Sequence, residues 1–416
     1  MMTNKKIAVV LYRYPLSIST MIIAAIALLS QHNKVDVFLD DKQRLTFKCD
    51  PWLQALIVPG TKNPFAIFLR KATNKLRILF FSAFGRFYSF SWESINFDLV
   101  RFSKALRGQF SKNQYDIVIA IEAKGLIAVD RAEVFKGDLI YFDMELLDWS
   151  PKHWAHMDKV ELKKRQFAAL QKVNHVMITS PKRAEIFAQM NKFNPERISV
   201  LPVVPLKRKV LQRSRYFRDK FKIPEHQVIV LYAGNFSAWA QCLEIIESMD
   251  NWPKEAVLVM HTGYGKQVKN LDYFKAMEKK ASGRQVYFSL EPMLYQDITE
   301  AMTSADIGLA FYENLDANFY EICFSSNKMA EYLASGLSVI TSPFEGLKEF
   351  VEGHGIGRSV DCADIGKAVQ DIIQKERVYR ENVKKCVEKF FIFEDYFSKA
   401  WLRYEKYAGL SQTSPH

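Results

Sequence analysis

The stretch of sequence that decides the fold spans residues 319–341 and reads FYEICFSSNKMAEYLASGLSVIT. Ser325 or Ser326 is suited to cap the N-terminus of a helix, because a serine hydroxyl accepts hydrogen bonds from the first free backbone N–H groups. Gly336 suits the position just past the helix C-terminus, and the apolar run after it is typical of a strand. The stretch therefore predicts a short helix that leads directly into a buried strand.

Lys328 and Glu331 are three residues apart in this stretch, so they share one face of the expected helix. A helix N-terminus with free N–H groups and a nearby ammonium group is a site for a diphosphate. A carboxylate about one turn further along can accept hydrogen bonds from both hydroxyls of a ribose. The alternative is an ordinary surface ion pair, which contributes only ~0.3 kcal/mol. The spacing alone leaves both interpretations open.

Short apolar runs of the kind that form buried parallel strands recur along the rest of the chain. They occupy residues 6–11, 35–39, 115–120, 139–142 and 173–179 in the first half, and residues 228–232, 256–261, 285–289, 307–311 and 337–341 in the second. Helical patterns separate several of them. The alternation predicts an α/β fold with two doubly wound parallel sheets. Such sheets bind ligands at the carboxyl ends of their strands, so we expect a site in the cleft between two domains.

The charge of the chain is distributed unevenly. Of its 416 residues, 49% are hydrophobic and 25% are charged, which excludes a disordered tail and allows two domains. The net charge of +12 comes from residues 1–200, with 30 basic and 18 acidic side chains, whereas residues 201–416 carry 28 of each. A basic stretch, residues 207–222, follows the sequence LPVVP at residues 201–205. We therefore expect one domain over residues 1–204 and a second over residues 205–395.

Several classes of protein are disfavoured by the sequence. The five cysteines are far apart and form no C-x-x-C pair, which argues against a disulfide framework and favours a reducing cytosol. His153 and His156 have the spacing of a metal pair but no third ligand nearby, so we expect no metal. No phosphate-binding or dinucleotide-binding glycine motif follows the first strand, so we expect no cofactor. The longest apolar run, residues 21–29, is about half the ~20 residues of a transmembrane helix, and we expect no signal peptide.

A basic aromatic segment, residues 61–92, contains six basic and nine aromatic residues but no Asp or Glu. This composition suits contact with an anionic bilayer, where each Lys or Arg contributes ~1 kcal/mol. Core packing with a solvated basic face is an equally open alternative, and nucleic-acid binding is a third that we do not expect. The residues assigned to the acceptor or membrane side are Arg13, Tyr14, Arg70, Lys71, Lys75 and Arg77.

The order S-x-N-K-x-x-E-Y-L-A-x-G-x-x-V-I over residues 325–340 resembles the donor-binding segment of GT-B glycosyltransferases, particularly the retaining family 4 and its relatives. Collinear similarities cover most of residues 195–360. They comprise VLP at residues 200–202, VLYAGN at residues 230–235, HTGYG at residues 261–265, residues 286–292 and ADIGL at residues 305–309. The resemblance implies two Rossmann-like domains facing each other across a cleft, with a C-terminal helix at about residues 396–416 that packs back on the first domain.

The resemblance also implies roles for individual residues. Glu331 would hold the donor ribose, and the helix N-terminus would meet the diphosphate. This chain has no Lys or Arg in the loop at residues 234–239, where relatives commonly place one, so Lys328, Lys266 or Arg13 must supply the cation. The full donor-binding set is Gly234, Asn235, Phe236, Ser237, Gly263, Lys266, Glu291, Ser325, Ser326, Asn327, Lys328 and Glu331.

Candidate catalytic acids are Asp143, Glu145 and Glu321. Residues 141–146, YFDMEL, look like the family's Y-D-x-H-E sequence, with Met144 at the histidine position. Asp143 or Glu145 could orient or deprotonate an acceptor hydroxyl, since a carboxylate in a low-dielectric cleft has a raised pKa. Alternatively, both cap the following loop. Glu321 is the acid nearest to the family's earlier glutamate, whose position is Cys323 here.

The sequence thus predicts a retaining, metal-independent hexosyltransferase that moves a sugar from a nucleotide-sugar, with UDP favoured, to a saccharide or lipid-linked acceptor. The resemblance implies bacterial surface polysaccharide or glycan synthesis, in the cytoplasm or peripherally on the inner face of the cytoplasmic membrane. Two alternatives stay open, which are a nucleotide-sugar 2-epimerase of the same fold and a catalytically silent GT-B binding module.

Overall fold

The structure is a computed structural model of the chain. It describes residues 3–13, 20–40, 53–57, 96–149, 157–206, 212–293, 295–314, 318 and 322–411.

The first domain contains a parallel sheet, which has seven strands within the described residues. Its strands are β1 (Lys6–Leu11), β2 (Lys34–Leu39), β3 (Leu53–Ile57), β4 (Ile117–Ile121), β5 (Asp138–Asp143), β6 (His175–Ile178) and β7 (Ile198–Val200). They lie in the order β3-β2-β1-β4-β5-β6-β7. The helices of this domain are α1 (Thr20–Ser30), α2 (Phe97–Lys112), α3 (Glu122–Ala132), α4 (Met157–Leu170) and α5 (Pro181–Asn191).

The second domain contains a parallel sheet of six described strands in the order β10-β9-β8-β11-β12-β13. These strands are β8 (Val228–Ala233), β9 (Ala256–His261), β10 (Val286–Ser289), β11 (Ile307–Ala310), β12 (Ser338–Thr341) and β13 (Gly357–Ser359). The helices are α6 (Tyr216–Phe221), α7 (Cys242–Ser248), α8 (Asp272–Ala281), α9 (Tyr295–Thr303), α10 (Asn327–Ala334), α11 (Glu345–Gly353), α12 (Ile365–Gln374) and α13 (Glu376–Phe390). A last helix, α14 (Phe393–Ser411), follows.

The two doubly wound parallel sheets confirm the fold class predicted from the apolar runs. Central strands bury both faces, as in β9, where all six residues are buried. The apolar runs did not indicate β3, β7 or β13. β13 has only three residues, and its Gly357 lies so close to β12 that an added Cβ would be 1.8 Å from the Val339 carbonyl oxygen. A strand this short carries no periodic signal.

Each sheet has one topological switch point, where the strand order reverses. In the first domain it lies between β1 and β4, and in the second between β8 and β11. Ligands of doubly wound sheets bind at the carboxyl ends of the strands at such points. The expected site therefore includes the residues that follow these four strands.

The last helix, α14, packs on the first domain. The Tyr404 hydroxyl donates a hydrogen bond to Asp138 Oδ2 over 2.6 Å, and the Ser199 hydroxyl donates to the Ala400 carbonyl oxygen over 3.2 Å. Trp401 is buried and its ring lies 5.3 Å from that of Tyr404. After the second domain, the chain therefore returns to the first domain through α14.

Candidate active site

The N-terminus of α10 is set by a serine cap. The Ser326 hydroxyl accepts a hydrogen bond from the Met329 N–H over 3.0 Å. At the other end, Gly336 has a φ of +80°, which a residue without a Cβ adopts freely, and the chain enters β12 two residues later. The helix that the sequence predicts is therefore present with the predicted caps, although the Ser325 hydroxyl bonds elsewhere, to Thr179 Oγ1 in the first domain over 2.7 Å.

The ammonium group of Lys328 is buried between two tyrosine rings at the second switch point. Its Nζ lies 4.2 Å from the ring centroid of Tyr232 on β8 and 4.9 Å from that of Tyr312, which follows β11. Gly234 closes the space, because a Cβ there would lie 3.1 Å from Lys328 Cε. Within the described part of the chain, Nζ has no hydrogen-bond partner. Burial lowers the pKa of this ammonium group to about 8.

Glu331 lies one turn further along α10 and faces the first domain. The side chain is only 6% exposed, and its Oε1 accepts a hydrogen bond from the Thr20 hydroxyl over 2.7 Å. The backbone N–H of Thr20, the first residue of α1, donates to Asn327 Oδ1 over 3.2 Å. The N-termini of α1 and α10 therefore meet across the cleft.

The interpretation of Lys328 and Glu331 as an ordinary surface pair is wrong. Surface pairs are solvated, whereas Glu331 is buried and Lys328 Nζ is shielded from solvent. Burial of an ionisable group carries a desolvation cost. Such groups mark candidate functional sites.

The loop after β8 contributes aromatic packing and backbone groups to the site. The Tyr232 hydroxyl donates to the Asn235 carbonyl oxygen over 2.5 Å, and the Phe236 ring stacks on that of Phe274. The Ser237 hydroxyl is buried and has no partner among the described residues. Trp239 stacks on Tyr312 with the rings 7° from parallel. The loop thus lies beside Lys328 and its tyrosine neighbours.

The predicted residues near β9 and β10 are more exposed. Gly263 and Lys266 lie on the surface of the turn that follows β9. Glu291, after β10, forms an ion pair with Lys220, which lowers the pKa of the Glu291 carboxyl. Lys220 also donates to Ser289 Oγ over 3.1 Å. Glu291 is therefore engaged by its own domain.

The loop after β5 is fixed against the second domain. The Leu146 N–H donates to Asn318 Oδ1 over 2.7 Å, and Asn318 Nδ2 donates to the Leu146 carbonyl oxygen over 3.0 Å. In this loop Glu145 is exposed, whereas Asp143 is only 1% exposed. Burial raises the pKa of Asp143 to about 7, against the opposing effects of Lys163, the Tyr141 hydrogen bond and Arg183.

Glu122 is an acid at this site that the sequence patterns did not reveal. It directly follows β4 at the first switch point, and its Oε1 accepts a hydrogen bond from the Met144 N–H over 2.8 Å. Its φ is +60°, an uncommon backbone conformation for a residue other than glycine. The sequence signal was only its place at the end of an apolar run.

Other predicted residues are bound elsewhere or lie outside the described ranges. The guanidinium group of Arg13 forms an ion pair with Asp98 over 2.7 Å, so a neighbouring carboxylate balances its charge. The predicted residues that lie outside the described ranges are Tyr14, Arg70, Lys71, Lys75, Arg77, His153, His156 and Glu321. The roles predicted for them stay predictions.

Neither a metal-binding cluster nor a membrane-spanning helix is found within the described ranges. Within those ranges, no three His, Cys, Asp or Glu side chains lie close enough together to hold a metal ion. Over the same ranges, no helix has both the length and the hydrophobicity needed to span a bilayer.

Solved structures of other proteins share this architecture. Sucrose-phosphate synthase from Thermosynechococcus elongatus matches with a TM-score of 0.68 and 15% identity, over 99% of this chain and 100% of that one. HepE from Anabaena, in complex with UDP and glucose, matches with a TM-score of 0.65 and 13% identity, over 95% and 98%. WaaG, a glycosyltransferase involved in lipopolysaccharide biosynthesis, matches with a TM-score of 0.63 and 14% identity, over 95% and 98%.

These similarities establish the fold. The chain has the GT-B fold, with two Rossmann-like domains, as its sequence predicts. No protein-family model matches the sequence, and no curated protein sequence matches it. At 13–15% identity the shared fold does not transfer an activity, so function must be argued from the site.

Proposed function

We propose that the protein is a glycosyltransferase that transfers a sugar from a nucleotide-sugar, preferably a UDP-sugar, to a saccharide or lipid-linked acceptor. The observation that carries this proposal is the pair formed by Lys328 and Glu331 on α10. A buried ammonium group without a hydrogen-bond partner in the described ranges calls for an anion. A buried carboxylate one turn away suits the hydroxyls of a ribose. Both groups together match a nucleoside diphosphate.

The positions of these groups support the proposed reaction. Transfer forms a bond between an acceptor oxygen and the anomeric carbon and breaks the bond from that carbon to the diphosphate, which leaves with the electron pair. Lys328 and the free N–H groups of α10 would stabilise the negative charge that develops on the diphosphate. We propose that the reaction retains the anomeric configuration and needs no metal. The proteins HepE and WaaG, named above, support the choice of a UDP-sugar and of surface polysaccharide as the product.

A panel of nucleotide-sugars tests the proposed donor. We expect one of UDP-glucose, UDP-galactose, UDP-N-acetylglucosamine, GDP-mannose, ADP-glucose or CMP-sialic acid to raise the melting temperature, because a ligand that binds only the folded state stabilises it. Release of free nucleotide from the same donor then reports transfer to water. If no donor on the panel raises the melting temperature, the proposed function is wrong. Conversion to the 2-epimer would favour the epimerase, and binding without release would favour the silent module.

The acceptor side is proposed to face an anionic membrane through the basic aromatic segment, residues 61–92. Flotation with vesicles containing anionic phospholipid tests this. We expect the protein to float with such vesicles and a variant with Arg70, Lys71, Lys75 and Arg77 changed to glutamine to bind several-fold less, since each cation contributes ~1 kcal/mol. Equal flotation of the two proteins, or none of the wild type, would contradict membrane contact.

The Thr20 hydroxyl is hydrogen-bonded to the Glu331 carboxylate, which we assign to the ribose. Replacing it by valine, which has the same shape, removes a competitor for Glu331 Oε1 and leaves the backbone hydrogen bond of residue 20 to Asn327 in place. We expect UDP to bind up to about tenfold more tightly, and the ligand-free protein to lose ~1 kcal/mol of unfolding free energy. Isothermal titration calorimetry with UDP and thermal melting measure the two effects.

The matched control is Ser30→Ala, at the other end of α1, where the hydroxyl donates only to the Ala27 carbonyl oxygen over 3.0 Å. It should leave UDP affinity unchanged. Weaker UDP binding by Thr20→Val would show that the hydroxyl assists the ligand instead of competing with it.

A further inference from the structure

Strand register places two carboxyl groups side by side at the first switch point. In the parallel pair of β4 and β5, Ile121 is the partner of Phe142. The next residues along the two strands are Glu122 and Asp143, and neighbouring strands lie only ~4.8 Å apart. Residue 12 follows β1 on the opposite side, beside Glu122, because Leu11 is the partner of Ile121. Glu122 therefore lies in the crevice where this fold class binds ligands.

The backbone at Glu122 is held in an unfavourable conformation. A φ of +60° costs a residue with a Cβ ~1 kcal/mol or more, and such conformations cluster at functional sites. The first turn of α3 also lies tightly on β1, since a Cβ at Gly125 would be 3.0 Å from the Val10 carbonyl oxygen. The chain thus turns sharply out of β4 directly at the crevice. This geometry presents the Glu122 side chain there, half-buried.

A chain of hydrogen bonds that starts at Lys163 holds the Asp143 side chain in place. Lys163 Nζ, which can only donate, donates to Gln166 Oε1 over 2.9 Å. Gln166 Nε2 donates to the Tyr141 hydroxyl oxygen over 2.9 Å, and that hydroxyl donates to Asp143 Oδ1 over 3.2 Å. Asp143 Oδ2 is buried and, within the described ranges, has no hydrogen-bond partner. Asp143 is therefore locked in place but is not accessible to a substrate.

We infer that Glu122 is the catalytic acid–base group of the first domain and that Asp143 is a positioning residue behind it. This inference rests on the proposed function and replaces the sequence-based expectation that Asp143 or Glu145 meets the acceptor. Glu122 accepts a hydrogen bond from the acceptor hydroxyl. The acceptor oxygen bonds to the anomeric carbon on the face from which the diphosphate leaves with the electron pair, so the configuration is retained, and the acceptor proton passes to the Glu122 carboxylate.

The surrounding charges suit this role. Burial, Asp143 and Glu145 raise the pKa of the Glu122 carboxyl well above its ordinary range, against the hydrogen bonds from the Met144 and Glu145 backbone. Burial raises the pKa of Asp143 to about 7, and Lys163 on α4 and Arg183 on α5 oppose that rise. A base with a raised pKa is more effective near neutral pH. Adjacent carboxyl groups of this kind titrate as a coupled pair.

Hydrolysis of the donor tests the inference with water as the acceptor probe. We expect Glu122→Gln to release nucleotide from the donor selected by the panel at least tenfold more slowly, with an unchanged donor-induced rise in melting temperature. The wild-type rate should fall as the pH falls through the raised pKa of Glu122. Asp143→Asn removes a negative neighbour of Glu122, so the pKa of Glu122 should fall. The decrease in rate on the acidic side of the pH–rate profile should then occur at lower pH.

The matched control is Glu133→Gln, which follows the other end of α3, also has a positive φ, and pairs with Arg107. It should release nucleotide at the wild-type rate. Carbon-13 NMR of labelled glutamate, with Glu122→Gln to assign the signal, provides a readout without a donor. The inference is overturned if Glu122→Gln releases nucleotide at the wild-type rate, or if Asp143→Asn has the same pH–rate profile as the wild type. Titration of Glu122 near the ordinary value of ~4.3 would also overturn it. Absence of any donor-induced rise in melting temperature would instead contradict the proposed function.

Discussion

Replacement of Glu331 by glutamine should abolish most of the stabilisation that a nucleotide ligand gives to the protein. A carboxylate that accepts two ribose hydroxyls makes two charge-assisted hydrogen bonds, each contributing about 1.5–3 kcal/mol. Loss of about 3 kcal/mol weakens binding more than about 100-fold. At a ligand concentration of about 100 times the wild-type Kd, the stabilisation should fall from about 2.7 kcal/mol to about 0.4 kcal/mol.

Glutamine is the informative replacement because it keeps the local packing. Its amide oxygen can still accept the hydrogen bond from the Thr20 hydroxyl that Glu331 accepts over 2.7 Å, so the contact between α1 and α10 should persist. The melting temperature of the ligand-free variant should therefore change little. A loss of ligand response is then attributable to the carboxylate itself.

Thermal melting with UDP and with the donor selected by the panel measures the effect. Glu349→Gln is the matched control, since Glu349 is an exposed glutamate on the next helix, α11, and its replacement should leave the response unchanged. If Glu331→Gln responds to the ligand as strongly as the wild type, Glu331 does not hold the ribose and the donor-site assignment is wrong.

Local sequence accounted for the parts of the fold and the site that depend on neighbours in the chain. β9 has the predicted bounds, residues 256–261, because an unbroken apolar run is buried on both faces of the sheet. Ser326 and Gly336 cap α10 as predicted, since cap geometry depends on residues within one turn. The same stretch placed Lys328 and Glu331 on one short helix.

Contacts between distant residues could not be predicted in this way. Thr20 and Glu331 are 311 positions apart, and nothing in either local sequence indicates that they meet. Of the tyrosines around Lys328, Tyr232 lies in β8 and Tyr312 follows β11, so their convergence depends on the order of these strands in the sheet. Glu122 joins Asp143 only through the register of β4 and β5. Functional sites of doubly wound sheets are built from such convergences, because the switch point joins strands that are not consecutive.

Replacement of Lys328 by methionine should separate stability from ligand binding. Burial of an ammonium group is costly, and cation–π contact with Tyr232 and Tyr312 recovers only part of that cost. An apolar side chain of similar length should fit the same space. We therefore expect the ligand-free variant to be more stable by ~1 kcal/mol, as is common when a functional group is removed from a strained site.

The same variant should bind UDP at least tenfold more weakly, since one charge-assisted contact to the diphosphate is lost. The pH dependence identifies the cation. Only the charged form of Lys328 attracts phosphate, and its pKa is about 8, so wild-type affinity should be retained below that pH and fall as the pH rises toward 9.5. Above pH 7.5 the charge of the diphosphate changes little, because the second pKa of a phosphate is about 6. Ionisation of the uracil base at high pH affects the wild type and Lys328→Met alike, so the part of the decline that Lys328 causes should be absent in Lys328→Met.

Calorimetry with UDP from pH 7.5 to 9.5 tests this, with two lysines for comparison. Lys348→Met, on the exposed face of α11, should behave as the wild type. Lys266→Met tests the other cation suggested by the sequence, which is exposed on the turn after β9. If Lys266→Met loses UDP affinity while Lys328→Met keeps it, the diphosphate is bound by the turn after β9. The ammonium group between the two tyrosines would then be a structural feature that the protein tolerates at a cost in stability, which the higher melting temperature of Lys328→Met would still reveal.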